Sequence, residues 1–346
     1  MKAVCYVETK RVEVEDKTKP SIQAPTDAVV KVTTAAICGS DLHIYHDRMP
    51  GFTKGVVLGH EMMGIVEDAG KEVRHLKEGD RVVISDLAAC GTCWYCRRRM
   101  FVNCINMAGF GTGPMFGNLS GGQAEYVRVP FADTNAGIPP AALTDEQALF
   151  AGDILVTGYT CAKNANIQTG DTVVVIGCGP VGILTQMCAQ LYGPARVFAV
   201  DMVESRLQLA KSIGSIPINP KDGDVGPRIK EMTGFRGADA VMEAVGNEAA
   251  LASTFTMVRP KGTISVVGVF VEPTANLPVG QAFFSEFNLR FGLGDSPRYR
   301  EEVFALTESG RLDPARIISH RLKLEDGPKG YEMFDKKEAF KVILKP

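Results

Sequence analysis

The feature that most constrains the fold is a glycine-rich turn between an apolar run and a helical pattern. The run Thr172–Ile176 passes directly into Gly-Cys-Gly-Pro-Val-Gly at positions 177–182, and a helical pattern continues over residues 183–192. An acidic residue, Asp201, closes the next apolar run 19 residues after Gly182. A strand, this glycine spacing, a helix and a later acidic residue are typical of a βαβ unit that binds a dinucleotide.

Each residue of this turn has its own expected role. Gly177 makes the tight turn, Gly179 lets backbone approach a pyrophosphate, and Gly182 lets the helix pack closely on the sheet. Pro180 and Val181 open the helix, whose N-terminus presents free N–H groups and a positive dipole to phosphates. The alternative interpretation is a glycine-rich turn without a ligand.

The acidic residue bears on which dinucleotide is bound. Asp201 is expected to accept hydrogen bonds from the adenosine ribose hydroxyls, and its charge favours NAD over NADP. Arg206 lies one helical turn further on. Arg206 is expected to lie beside the adenosine, and the alternative is that it lies on a solvated helix face.

The apolar pattern divides the chain into three parts. Residues 1–155 contain short β segments separated by Gly and Pro, which predicts a barrel-like β domain. The clearest of these segments are 28–33, 64–67, 80–85 and 125–129. Over residues 156–294, apolar runs such as Arg196–Val200 alternate with helical stretches, which predicts a doubly wound parallel sheet. Residues 295–346 are helical and charged and end in an apolar segment.

Composition argues against several classes of protein. A net charge of −2 gives no basic field for nucleic acid or an anionic membrane. No window of about 18 apolar residues predicts a transmembrane helix, and the alternating N-terminal segment MKAVCYVETKRVEVEDK predicts β strands instead of a signal peptide. The nine cysteines include four that are close together, so we expect a cytoplasmic protein with thiols that bind metal.

The four clustered cysteines predict a metal-binding lobe over about residues 88–106. Cys90, Cys93, Cys96 and Cys104 form the pattern C-x2-C-x2-C-x7-C. Four thiolates can close a tetrahedron around one zinc ion, and a closed site is structural. An iron–sulfur cluster and reactive thiols are the alternatives.

Two further segments carry a resemblance to a known family. Cys38-Gly-Ser-Asp-Leu-His43 precedes Gly59-His60-Glu61, with glycines at positions 64 and 70. With the cysteine lobe and the glycine turn, in this order, they resemble the medium-chain, zinc-dependent alcohol dehydrogenases over nearly the whole chain. The resemblance implies an α/β protein with a GroES-like β-barrel catalytic domain, a Rossmann domain, and a C-terminal segment that returns to the first domain.

The resemblance also implies a second, catalytic zinc ion. Cys38 and His60 would bind it, and Asp153 stands where the best-known members have another cysteine. Cys161 is the nearby thiol, but it lies eight residues after Asp153, and we interpret it as a core cysteine. Thiolate, neutral imidazole and carboxylate together neutralise Zn²⁺ and leave a fourth position. Glu61 is expected to support His60 from outside the coordination sphere or to bind the ion transiently.

Ser40 and His43 are candidates for moving the proton of the alcohol. Ser40 can accept it, and the resemblance implies a path through the cofactor ribose to His43. The alternative makes Ser40 and Asp41 turn residues and His43 a surface group. The remaining cofactor contacts implied by the resemblance are Thr157 by the nicotinamide, the backbone of Val267, Gly268 and Val269 at the carboxamide, and Lys341 near the pyrophosphate.

The function expected from these features is a zinc-dependent, NAD(H)-using alcohol dehydrogenase or carbonyl reductase. It would carry two zinc ions per chain, act on a small alcohol or carbonyl compound and form a homodimer or homotetramer. Polyol, butanediol and threonine dehydrogenases are alternatives on the same scaffold, and residues 115–126 resemble the formaldehyde dehydrogenases. A non-catalytic NAD-binding protein is an alternative of another class, against which the set Cys38, Ser40, His60 and Asp153 argues.

Overall fold

The computed structural model describes residues 1–49 and 51–346, and the chain divides into two compact units. The first unit combines Met1–Val156 with Asp295–Pro346, and the second is Thr157–Gly294. The first unit therefore contains both ends of the chain. No helix among the described residues is long and apolar enough to cross a membrane.

Short strands dominate the first part of the chain. The strands are β1 (Lys2–Glu8), β2 (Arg11–Asp16), β3 (Ala28–Ile37), β4 (Glu61–Ala69), β5 (Arg81–Ile84), β6 (Leu87–Ala88), β7 (Ala108–Gly109), β8 (Tyr126–Val129) and β9 (Ala136–Gly137). The helices are α1 (Asp41–Tyr45), α2 (Ala132–Asn135), α3 (Asp145–Ala148) and α4 (Ile154–Asn164).

Strands and helices alternate in the second unit. They are β10 (Thr172–Ile176), α5 (Pro180–Gln190), β11 (Arg196–Val200), α6 (Glu204–Ser212), β12 (Ile216–Ile218), α7 (Val225–Met232), β13 (Ala238–Glu243), α8 (Glu248–Met257), β14 (Val258–Val266), α9 (Val279–Ser285) and β15 (Asn288–Phe291). The chain ends with α10 (Ser296–Glu308), β16 (His320–Lys323), α11 (Gly327–Asp335) and β17 (Val342–Lys345).

The main sheet of the first unit is largely antiparallel. Its strand order is β16-β17-β3-β4-β5-β9, and β8 also pairs with β3. The C-terminal strand β17 pairs with the end of β3, where Val342 lies opposite Ile37. Buried side chains such as Met62, Phe110 and Tyr331 fill the core beneath this sheet.

The second unit is built around a parallel sheet with the order β12-β11-β10-β13-β14-β15. All five residues of β10 are buried, because helices of a doubly wound fold cover both faces of its central strands. From β10, the strands β11 and β12 are added on one side of the sheet, and β13, β14 and β15 are added on the other side. Ligands of such sheets bind at the carboxyl ends of the strands where the side changes, which are β10 and β13.

The predicted fold class is confirmed by this architecture. β10 and β11 begin and end at the residues that the sequence predicted. β14 begins at Val258, five residues before the apolar run of residues 263–267. Its pairing with β13 shifts register between Ala238 and Ala240, and Lys261 has a positive φ of 59°. Val258 at the start of β14 thus pairs with β13 separately from the apolar run that begins at Thr263.

Candidate active site and metal centres

Three potential metal ligands converge at the ends of paired strands. Cys38 directly follows β3, and His60 directly precedes β4. Because these strands are antiparallel, with Ala36 opposite Glu61, the two residues emerge side by side. Asp153 comes from the turn before α4, where its φ is −148° and its ψ is −90°. The potential ligand atoms of Cys38, His60 and Asp153 all lie within 4.8 Å of one another, and the three residues are buried.

The spacing of these atoms fits a zinc ion. Asp153 Oδ2 lies 3.7 Å from Cys38 Sγ and 3.4 Å from His60 Nε2. Zinc bonds of about 2.0–2.3 Å in a tetrahedron separate neighbouring ligand atoms by about 3.3–3.8 Å. Thiolate, imidazole and carboxylate are donors that zinc accepts, and three of them leave one position open.

The group is buried among other negative charges. Burial raises the pKa of the Cys38 thiol, and the carboxylates of Glu61 and Asp153 raise it further. A thiol must lose its proton to bind a metal, and a divalent cation opposes the effect of the carboxylates. Metal binding and deprotonation of Cys38 are therefore expected to be coupled.

His60 is held from its other side by Asp41. Asp41 Oδ1 lies 3.2 Å from His60 Nδ1, while its Oδ2 accepts hydrogen bonds from Cys38 N at 2.9 Å and from Gln123 Nε2 at 3.1 Å. Tyr331 in turn donates to Gln123 Oε1 at 2.9 Å. A carboxylate at Nδ1 fixes the ring and leaves Nε2 for a metal.

Ser40 lies beside the candidate ligands. Its Oγ is 2.9 Å from His60 Nε2, the same nitrogen that faces Asp153. His43 lies on α1, and its backbone N–H donates to Ser40 O at 3.0 Å. The structure thus brings Ser40 to the centre of the site and leaves His43 one turn further along the helix.

Glu61 forms a fully buried ion pair with Lys341. Lys341 Nζ lies 2.8 Å from Glu61 Oε1 and 2.5 Å from Oε2, and it also donates to Ile37 O at 2.9 Å. Burial raises the pKa of Glu61 to about 7, although Lys341 and His60 lower it. The Lys341 ammonium is thus buried between a carboxylate and a carbonyl, and its expected contact with a pyrophosphate stays a prediction.

The four cysteines of the lobe also come together. The Sγ–Sγ distances are 4.0 Å for Cys90–Cys96, 3.4 Å for Cys93–Cys96, 4.0 Å for Cys93–Cys104 and 3.5 Å for Cys90–Cys104. Zinc–sulfur bonds of about 2.3 Å in a tetrahedron require about 3.8 Å between sulfurs. The lobe therefore fits one zinc ion with no open position.

Hydrogen bonds within the lobe lower the pKa of Cys90 and Cys93, whereas burial raises that of Cys96 and Cys104. Burial raises the pKa of Cys90, but hydrogen bonds from Thr92 and Cys93 outweigh it and hold the pKa at about 6. Cys104 Sγ accepts from the backbone N–H of Cys90 at 3.2 Å and of Asn106 at 3.3 Å. These two donors oppose the effect of burial, which raises the pKa of Cys104, and they stabilise the thiolate form that binds a metal.

The glycine turn has the geometry that its pattern predicted. Gly177 has φ +92°, a conformation that other residues rarely adopt. A Cβ on Gly182 would lie 1.9 Å from Gly177 O, so the first turn of α5 packs directly on the strand end. A Cβ on Gly179 would meet only Arg206 Nη1, at 3.9 Å. Gly179 thus borders open space at the start of α5, whose first residues are Pro180 and Val181.

Asp201 is held beside this turn. Its Oδ2 accepts from Cys178 N at 2.8 Å, and its Oδ1 accepts from Val203 N at 2.9 Å. Arg206 Nη1 lies 3.9 Å from Asp201 Oδ2. The structure therefore brings the acidic residue, the glycine turn and Arg206 to one end of β10 and β11.

The segment after β14 meets a buried glutamate that the sequence analysis did not single out. Val267 N and Gly268 N donate to Glu243 O at 2.9 and 3.2 Å. The Glu243 carboxylate accepts from Val245 N at 2.7 Å and Gly246 N at 2.8 Å. Glu243 thus joins the loop after β13 to the loop after β14, which also contains Val269. Burial raises the pKa of this carboxyl group.

Thr157, the expected nicotinamide contact, is the first residue of the second unit, and Cys161, the expected core cysteine, lies in its interior. Thr157 lies on α4, and its Oγ1 would be 2.3 Å from a Cβ on Gly294. Cys161 is fully buried, with Sγ 3.7 Å from Ser265 O. Asp153, and not Cys161, is therefore the residue grouped with Cys38 and His60.

Known proteins resemble the chain over its full length. Models of the alcohol dehydrogenase GroES-like domain and of zinc-binding dehydrogenases match residues 24–140 and 180–309. The uncharacterized zinc-type alcohol dehydrogenase-like protein AdhB of Bacillus subtilis is 39% identical, with all of both chains covered (100% and 100%). Alcohol dehydrogenase TADH from Thermus sp. ATN1 has a TM-score of 0.96 at 45% identity, covering 100% of this chain and 99% of that one.

A third relative is a zinc-dependent alcohol dehydrogenase 2 from Streptococcus pneumonia. It has a TM-score of 0.90 at 34% identity, covering 100% of this chain and 98% of its own. The fold is that of a zinc-binding dehydrogenase. The chain belongs to the medium-chain, zinc-dependent alcohol dehydrogenase family.

The buried ion pair beside the site leads to a stability prediction. Lys341→Met leaves the Glu61 carboxylate buried without its cation, so the free energy of unfolding should fall by about 3–5 kcal/mol. The double variant Glu61→Gln/Lys341→Met should lose less than the sum of the two single losses. Urea denaturation of the four proteins measures this difference.

The exposed pair Lys2–Glu325 provides the matched control. About half of each side chain is exposed, 49% and 52%, so Lys2→Met should leave the free energy of unfolding nearly unchanged. Additive losses in the Glu61 and Lys341 variants would contradict a direct coupling between the two groups.

Proposed function

We propose that the protein is a zinc-dependent alcohol dehydrogenase that also acts as a carbonyl reductase. It transfers a hydride between a primary or secondary alcohol and NAD(H). The observation that carries the proposal is the buried group of Cys38, His60 and Asp153, whose spacing fits zinc. Because three protein ligands leave one position open, such a site can take a substrate oxygen.

The proposal assigns two zinc ions to each chain. Bound at the three-residue site, zinc supplies a Lewis acid that lowers the pKa of an alcohol and polarises a carbonyl. Cys38 and Asp153 balance its charge, and Asp41 orients His60. The paired Glu61 supports the site from outside the coordination sphere. The second ion belongs to Cys90, Cys93, Cys96 and Cys104, where it stabilises the lobe.

Ser40 is the proposed first acceptor of the alcohol proton. Its hydroxyl lies 2.9 Å from His60 Nε2, and a hydroxyl can accept one proton while donating another. His43 is proposed to take the proton onward, because an imidazole can exchange protons at neutral pH. This path would carry the proton out of a buried site.

The cofactor is proposed to lie at the carboxyl ends of β10 and β11. The N-terminus of α5, with Pro180 and Val181, would bind the pyrophosphate over the glycine turn. Asp201 would bind the adenosine ribose, and a 2′-phosphate would meet its carboxylate. Arg206, 3.9 Å from Asp201, is the observation that favours NADP as the alternative.

The nicotinamide half is assigned to a second group of residues. Thr157 and the backbone of residues 267–269 are proposed to contact the nicotinamide and its carboxamide. Support comes from the position of residues 267–269 directly after β14, at the carboxyl edge of the parallel sheet. Cofactors of doubly wound sheets lie along this edge.

We propose that the protein forms a homodimer or homotetramer in the cytoplasm. β15 is an edge strand, and Phe291 on it is 59% exposed. Phe283 and Phe284 nearby in sequence are 77% and 85% exposed. An apolar edge strand is a template for pairing with another chain. A monomer in sedimentation equilibrium at micromolar concentration would contradict this proposal, whereas Phe283→Ser/Phe284→Ser should weaken the expected association.

The cofactor proposal predicts a measurable preference. Zinc-loaded protein should reduce NAD with propan-2-ol or benzyl alcohol, and kcat/KM for NAD should exceed that for NADP. Asp201→Ser should reduce this preference by about 1–3 kcal/mol, the cost of a lost charged hydrogen bond. Steady-state rates with both cofactors provide the measurement.

Glu204→Ser is the matched control, because Glu204 is an exposed acidic residue three positions after Asp201. It should leave the ratio of the two kcat/KM values unchanged. A wild-type preference for NADP would refute the role of Asp201. The absence of turnover with every alcohol and both cofactors would refute the proposed function.

The two metal sites should respond differently to substitution. Asp153→Asn removes a charged ligand from the open site, so it should lower the zinc content by one ion per chain and abolish turnover. Cofactor binding should persist, because the glycine turn lies in the second unit. Cys96→Ser opens the closed site, so it should lower the melting temperature. Elemental analysis, NADH binding and thermal unfolding measure these effects.

Limited chelation provides an independent comparison. A carboxylate holds zinc less tightly than a thiolate, so chelation should first remove one ion and all activity while leaving the fold intact. An active Asp153→Asn that retains both zinc ions would show that another group, such as Glu61 or Cys161, is the third ligand.

A further inference from the structure

A buried glutamine connects the candidate metal centre with the C-terminal helix α11. The side chains of Gln123 and of Tyr331, which lies on α11, are both fully buried. Gln123 Nε2 donates to Ala36 O at 3.0 Å and to Asp41 Oδ2 at 3.1 Å. The Tyr331 hydroxyl donates to Gln123 Oε1 at 2.9 Å. Both N–H groups and the oxygen of this amide therefore have partners.

These partners determine which way the amide faces. The Ala36 carbonyl and the Asp41 carboxylate accept hydrogen bonds, so they require the NH₂ group of Gln123. Burial raises the pKa of Tyr331, and the charge of Asp41 raises it further, so the phenol keeps its proton and donates. A flipped amide would place its oxygen against two acceptors. The hydroxyl of Tyr331 therefore holds the amide in the orientation that Asp41 requires.

Backbone contacts attach Gln123 to the segment that carries His60. Gln123 N donates to Leu58 O at 2.9 Å, and Gly122 N donates to Gly59 O at 2.9 Å. Gly59 immediately precedes His60 and has φ +93°. A Cβ on Gly59 would lie 2.4 Å from Gln123 Cγ, so the glutamine side chain packs directly on this backbone.

Asp41 transmits this constraint to the imidazole of His60. Its Oδ2 accepts two hydrogen bonds, from Gln123 Nε2 and, at 2.9 Å, from Cys38 N. Its Oδ1 lies 3.2 Å from His60 Nδ1. Because two donors hold one oxygen, the carboxylate cannot turn, and the other oxygen stays against the ring.

We propose that Gln123 and Tyr331 are positioning residues for the candidate metal ligand His60. Gln123 holds Asp41 against the imidazole, and Tyr331 holds the amide that does so. Helix α11 thereby helps to determine how tightly, and in which geometry, the three-residue site binds a divalent metal ion. This inference rests on the proposed function, because it takes His60 as a zinc ligand.

The zinc affinity of Gln123→Met tests the inference. Methionine keeps the length of the side chain and removes the amide, so Asp41 is free to turn and the ring of His60 loses its support. The dissociation constant of zinc at the three-residue site should rise about tenfold, as for other partners of metal-binding histidines. Competition with a chelator, well below the melting temperature, provides the measurement. An unchanged dissociation constant would overturn the proposal, even if the melting temperature fell.

Tyr331→Phe is the smaller change and tests the order of the contacts. It removes one hydroxyl, so the dissociation constant of zinc should rise about threefold, the effect of one hydrogen bond. In the Gln123→Met background the same substitution should have no further effect on zinc binding, because Tyr331 acts through Gln123. No rise in Tyr331→Phe, or equal effects in the two backgrounds, would overturn the proposal.

A spectroscopic signature separates positioning from a general loss of stability. With cobalt at full occupancy of the three-residue site, Gln123→Met should shift the ligand-field bands, because the imidazole changes its orientation. The thiolate of Cys38 should still give its charge-transfer band. Ligand-field bands identical to those of the wild type would contradict a role in positioning His60.

Gln186→Met is the matched control. Gln186 is also fully buried, but it lies in the second unit, where its Nε2 donates to Cys178 Sγ at 3.5 Å. Its substitution should leave the zinc dissociation constant and the cobalt bands unchanged. Equal changes in Gln186→Met and Gln123→Met would show a general effect of losing a buried amide and would overturn the proposal.

Metal binding without cofactor or alcohol distinguishes this inference from the proposed function. Weaker zinc binding in Gln123→Met, in a protein that oxidises no alcohol, would support the role of Gln123 and refute the proposed function. Unchanged zinc binding in the same variant of an active dehydrogenase would refute the role of Gln123 and leave the proposed function intact.

Discussion

The antiparallel pairing of β3 with β4 is the constraint on which the candidate active site depends. It brings the residue after one strand next to the residue before the other, so Cys38 and His60 need no loop to position them. β17 pairs with the other side of β3 and brings Lys341 within 2.8 Å of Glu61. The sheet thus positions two candidate ligands and the neighbouring ion pair, which would limit the reorganisation required on binding a metal.

Burial of charge is the main cost of this arrangement, and charge pairing offsets it. Isolated carboxylates are strongly disfavoured in a protein interior. The site holds Glu61 against Lys341 and Asp41 against His60, whereas Cys38 and Asp153 require a cation. The buried ammonium of Lys341 therefore stabilises the negative charge of Glu61 electrostatically, and for this reason it does not lie on the protein surface.

Features encoded by neighbouring residues were predictable from the sequence. The glycine turn determines its own backbone geometry, so β10 and β11 begin and end where predicted. Cys90, Cys93, Cys96 and Cys104 lie within a short segment, and their grouping follows directly from that spacing. The fold class follows from the same local patterns, because apolar runs and helices alternate along the chain.

Features that depend on distant pairings were not predictable in the same way. The pairing of Lys341 with Glu61 was not predictable, because the two residues are 280 positions apart and meet through a strand pairing that sequence periodicity does not reveal. In the sequence, Asp41 has the features of a turn residue. Its contact with His60 becomes visible only when β3 and β4 are paired. Glu243 belongs to no recognisable motif, because its hydrogen bonds join two loops that are far apart in the sequence.

The central claim is that Cys38, His60 and Asp153 bind the reactive metal. Cobalt exchanged into the chelator-sensitive site tests it most directly, because one thiolate bound to tetrahedral Co²⁺ gives a charge-transfer band as well as ligand-field bands. We predict that Cys38→Ser loses the charge-transfer band of this site while the lobe keeps its zinc. In the wild type, adding an alcohol should shift the ligand-field bands. An unchanged cobalt spectrum in Cys38→Ser, with full cobalt occupancy, would contradict it.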